Sequence, residues 1–96
     1  MKDPWMAIHY AKEFFPGGWP EAESYIVQDP QASATYAADV LKGRWPEMER
    51  EIIKDPYAAA VYAIGALGKR WPKAEPIIGE HAQTAAYYNR EFGTNI

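Results

Sequence analysis

The chain has 96 residues, with 13 acidic against 10 basic side chains, two His and no Cys; one compact domain is the default at this length. A net charge of −3 speaks against a nucleic-acid or membrane-surface binder, since both need clustered positive charge. Without cysteine there are no disulfide staples, zinc–thiolate sites or thiol nucleophiles, and without a long apolar run there is no spanning segment, so the expectation is a soluble cytoplasmic protein stabilised by packing.

The first predicted helix opens at Asp3-Pro4, where the carboxylate accepts orphan backbone N–H groups and proline sits at a position that needs no donor. Ile8, Tyr10, Ala11, Phe14 and Phe15 follow at helical spacing. Gly17-Gly18 then allows a left-handed closure, and Trp19-Pro20 opens a second, shorter helix that carries Glu23 and Ile26. This pair recurs 26 residues later: Asp29-Pro30 with Ala34, Tyr36, Ala37, Val40 and Leu41, a closure expected at Gly43, and Trp45-Pro46 with Met48, Glu49, Ile52 and Ile53. A third pair runs from Asp55-Pro56 through Ala60, Tyr62, Ala63, Ala66, Leu67 and Gly68 to Trp71-Pro72, Glu75 and Ile78. Its second helix has a start that stays open, because Pro76 would interrupt a helix begun at Pro72. The fourth copy opens at His81 in place of Asp, keeps Tyr88, and runs to Ile96.

A fixed step of this size is the signature of stacked helical units, none of which buries its apolar face alone. The predicted fold is all-α: a short α-solenoid in one domain, 1–96, with units 3–28, 29–54 and 55–80 and a partial unit 81–96, seven helices in all and no sheet. Trp19, Trp45 and Trp71 are expected to be buried plugs at equivalent corners.

With Asp-Pro-x-x-Ala-x-x-Tyr-Ala at Asp3–Ala11 and Asp55–Ala63, Leu-Lys-Gly-Arg-Trp-Pro-Glu at Leu41–Glu47 and Glu49 and Ile52 before Asp55-Pro56, the chain resembles the tandem helical-repeat arrays of uncharacterised bacteriophage and phage-related bacterial proteins. The resemblance spans residues 3–92. It implies provenance and shape, and brings no reaction, cofactor or catalytic residue with it.

The residues themselves offer little chemistry. Ser24 and Ser33 are the only serines, and neither they nor His9 and His81 belong to a nucleophile motif. His81 reads as a helix cap, and Glu80-His81 lacks the second histidine of a metal motif. Glu23, Glu49 and Glu75, one step apart, read as a ladder of salt bridges with Arg44 and Arg70 at the corners. No enzyme, cofactor or metal is therefore expected. One column departs from the repeat: Trp5, His9, Lys12 and Gln31, Thr35, Ala38 are mixed, whereas Tyr57, Val61, Ile64 are wholly apolar at i, i+4, i+7. With Tyr87 and Arg90 of the last helix, this stripe is either buried under that helix or a protein contact surface. The expected function is a protein–protein interaction module: an inhibitor or adaptor against a host enzyme or defence complex if the phage resemblance holds. The alternative is a structural module that forms a homodimer through the same stripe.

Overall fold

The computed structural model describes residues 3–96, and among these every regular element is helical. The long helices are α1 (Pro4–Phe14), α3 (Pro30–Tyr36, running on into a π-helical turn Ala37–Leu41), α5 (Pro56–Val61, running on into a π-helical turn Tyr62–Leu67) and α7 (Ala82–Phe92). Between them lie the short helices α2 (Pro20–Ile26), α4 (Pro46–Ile52) and α6, which begins as a 3-10 turn at Pro72–Ala74 and continues as α-helix over Glu75–Gly79. The open start of α6 is thereby settled. Pro76 falls in the first turn of the α-helical part, where its missing N–H costs nothing.

The Asp-Pro starts behave as expected. Asp3, Asp29 and Asp55 each accept from the amides two and three residues on, at 2.9 and 3.4, 2.9 and 3.3, and 2.9 and 3.1 Å. His81 takes the same place at α7, its Nδ1 lying 3.4 Å from the Thr84 amide and 2.8 Å from the Thr84 hydroxyl.

Gly68 closes the third long helix as expected, but the end of α3 differs. Lys42 (φ 56°), not Gly43, takes the left-handed position in the second copy, aligned with Gly68 (φ 68°) in the third. The cause is the widened last turn: the amides of Lys42 and Gly43 both converge on the Ala37 carbonyl, as those of Gly68 and Lys69 do on Ala63. A side chain in this conformation costs about 1 kcal/mol. Lys42→Gly is therefore expected to raise stability by up to about 1 kcal/mol, or roughly 4–8 °C in Tm for a chain of this size, checked by thermal melting against Gly68→Lys, which should lower it.

The long helices pack side by side, α3 touching α1 and α5, and α5 touching α7, while α2 lies against α1 and α3 and α6 against α5 and α7. The result measures 39 × 21 × 20 Å. Alanines make the long-helix layer close: Ala7, Ala11, Ala32, Ala34, Ala37, Ala58, Ala59, Ala60 and Ala63 have no exposed surface. At the α3–α5 contact the backbones approach so far that a Cβ on Gly65 would stand 2.5 Å from the Ala38 Cβ. Ile26, Ile52 and Ile78 from the short helices complete the core.

Candidate interaction surface

Three equivalent junctions tie each short helix to the long helix that follows it. The amides of Trp19, Trp45 and Trp71 donate to the hydroxyls of Tyr36, Tyr62 and Tyr88 at 2.6, 2.7 and 2.8 Å. Those hydroxyls in turn donate to Glu23, Glu49 and Glu75 at 2.7, 2.6 and 2.7 Å. In the second and third junctions Arg44 and Arg70 fork onto the same carboxylates, with Nε–O distances of 3.0 and 2.8 Å. The expected Arg–Glu pairs are present. What reading the columns missed is that tyrosine joins the carboxylate to the corner backbone, a contact that links residues 17 apart with no local pattern to announce it.

These groups carry the perturbed acidities. Hydrogen bonds from Arg44 hold the Glu49 carboxyl below its ordinary range, and those from Arg70 do the same for Glu75. Burial pushes the hydroxyls of Tyr36 and Tyr62 up to about 12, with the neighbouring carboxylates adding to the rise. Each carboxylate of the set is held by a tyrosine hydroxyl and, in the second and third junctions, by an arginine as well. The second and third junctions border a cleft of about 440 Å³ that is lined among others by Arg44, Glu49, Arg70 and Trp71.

Trp45 and Trp71 are buried, at 8 and 9 % exposure, but Trp19 is only half-buried. Each indole leans on the tyrosine of its own copy, with ring centroids at 5.1 Å for Tyr36–Trp45 and Tyr62–Trp71 and 5.3 Å for Tyr10–Trp19. Tyr36 and Tyr62 are covered by the preceding copy, whereas Tyr10 is 43 % exposed, so Trp19 loses part of its cover. The expectation of buried tryptophan plugs thus holds for Trp45 and Trp71 and only in part for Trp19; Tyr10, Phe14 and Phe15 of the same copy are exposed.

The singled-out stripe is divided between the surface and the edge of the core. Tyr57 is 49 % exposed and Arg90 is exposed, while Val61, Ile64 and Tyr87 are half-buried along the α5–α7 edge. Tyr57 and Tyr87 lie nearly parallel, 23° apart, with centroids at 6.5 Å. Beside them opens a cleft of about 620 Å³, lined among others by Gln31, Asp55, Tyr57, His81, Thr84 and Tyr87. Gln31 Nε2 donates to Asp55 Oδ2 across its floor at 3.2 Å. The cleft thus has an aromatic wall and a polar rim, the mixture that orients a peptide group over apolar contact.

His9 lies exposed on α1 and His81 is occupied as a cap. Among the described residues no group of three or more His, Asp or Glu side chains could hold a metal ion, and no helix is long and apolar enough to cross a membrane. No protein-family model, curated protein or solved structure matches the chain.

Proposed function

We propose that the chain is a non-enzymatic protein–protein interaction module, a short α-solenoid whose contact surface is the α5–α7 edge formed by Tyr57, Val61, Ile64, Tyr87 and Arg90. The observation that carries this reading is the half-exposed Tyr57–Tyr87 pair standing over a polar-rimmed cleft on an otherwise close-packed helix layer. Aromatic side chains with an apolar body and a polar tip are the usual anchors of protein contacts, and Arg90 adds a forked donor at the edge. The resemblance of the repeat to phage arrays makes the partner a host protein, an enzyme or a defence complex met in the host cytoplasm, which the module would inhibit or recruit.

Tyr57 separates binding from folding, since Val61 and Ile64 are half-buried and charges there would disturb both. Tyr57→Asp is expected to leave circular dichroism and Tm unchanged and to weaken capture of bacterial lysate proteins by about 30-fold, the loss of one aromatic anchor. A folded variant that captures the same proteins as strongly as the wild type would remove the α5–α7 edge from consideration.

A further inference from the structure

The two ends of the long-helix layer are open and match each other. Met6, Tyr10 and Phe14 of α1 are 56, 43 and 62 % exposed. Their counterparts one step on, Ala32, Tyr36 and Val40, are buried under the preceding copy. At the other end Ala86 of α7 is exposed although Ile8, Ala34 and Ala60 in the same column are buried. Stacked helical arrays are kept soluble by polar outer faces on their terminal units, and α1 presents the opposite.

The contacts between consecutive long helices show what would cover these ends. One step along, Lys12 pairs with Asp39 at 3.8 Å, and Gln31 donates to Asp55 at 3.2 Å. Extending the same step beyond α7 sets Arg90, in the column of Lys12, against Glu13, in the column of Asp39. It also sets Gln83, in the column of Gln31, against Asp3, in the column of Asp55. Each residue has the partner chemistry that the internal contact uses, and all four are exposed.

We infer that a second copy of this chain docks head to tail, the α7 face of one molecule seated on the α1 face of the next, with Arg90 on Glu13, Gln83 on Asp3 and Met6 covered between them. A heterologous contact of this kind leaves a free face at each end unless its rotation closes a ring, so it builds oligomers whose mass rises with concentration. This goes beyond the partner-binding reading and uses a different part of the surface, Arg90 excepted.

Solution mass by sedimentation or light scattering tests it. The wild type is expected to gain mass with concentration, more at low salt. Glu13→Arg and Arg90→Glu, each facing like charge with like, should weaken association by roughly tenfold or more. Their equimolar mixture, which restores opposite charges at every junction, should associate again, as should the double variant. Met6→Asp should remain folded and monomeric. A wild type that stays monomeric up to about 1 mM, an Arg90→Glu protein that assembles normally, or a folded pair of charge variants whose mixture does not recover would each overturn the inference. Tyr57→Asp should leave assembly intact while reducing lysate capture, so the two readings fail separately.

Discussion

Trp45→Ala is expected to cost about 3–5 kcal/mol, the range for emptying a buried aromatic site. The indole is 8 % exposed, leans on Tyr36 at 5.1 Å, and holds the corner whose amide bonds Tyr62. A small domain has only about 5–15 kcal/mol in total, so this variant should be partly unfolded at body temperature. Trp71→Ala, in the equivalent place, should match it. Trp19→Ala should cost roughly half as much, because its ring already meets water and the transfer term shrinks with the area removed from it. Urea midpoints of the three variants check the order; equal costs at positions 19 and 45 would show that the half-exposure of Trp19 has no energetic consequence.

Tyr62→Phe removes one oxygen and is expected to cost about 1–3 kcal/mol, since it strands the buried Trp45 amide and one lone pair of Glu49. Tyr10→Phe, at an exposed position of the same column, should stay within about 0.5 kcal/mol of the wild type. The junctions also set a pH dependence whose sign follows from their shifts. A tyrosine raised from about 10 to about 12 on folding favours the protonated form in the native state. Its contribution is complete below pH 10 and is lost as pH rises towards 12. Alkaline unfolding should therefore accompany tyrosinate absorbance, and Tyr62→Phe should reduce the steepness of that transition. Glu49 and Glu75 act in the opposite direction. Their pKa values are lowered on folding, so their contribution is present above the ordinary value of about 4.5 and fades as pH falls through the folded values. The acid limb should weaken most when Arg44 and Arg70 are replaced by Ala, the variants that remove the cause of the shift.

The proposed interaction surface was legible only in part. The apolar stripe at Tyr57, Val61 and Ile64 stands out because the same columns are mixed in the other copies; the structure exposes Tyr57 beside a cleft and leaves Val61 and Ile64 half-buried. The larger exposed group on α1 was not legible, because Met6, Tyr10 and Phe14 repeat the pattern of residues that are core in later copies. A periodic sequence states which face a helix offers. It does not state whether anything lies on that face.

What the sequence determined by itself is the set of features that rest on contacts within one helical turn. The Asp-Pro starts are of this kind, each a carboxylate bonded to amides two and three residues on, and so are the Trp-Pro starts, the 26-residue step, and the substitution of His81 as a cap. The tertiary structure alone decided what depends on distant neighbours. Tyr10 and Tyr36 are the same residue in the same column, yet one stands in water and the other is sealed by the Trp19 corner and Glu23. Lys42 holds a backbone conformation that glycine favours because two amides must reach the one Ala37 carbonyl at the end of a widened turn, in the column where Gly68 does the same. Local chemistry chooses where a helix begins. Burial is a property of two surfaces meeting, and a sequence column describes one of them.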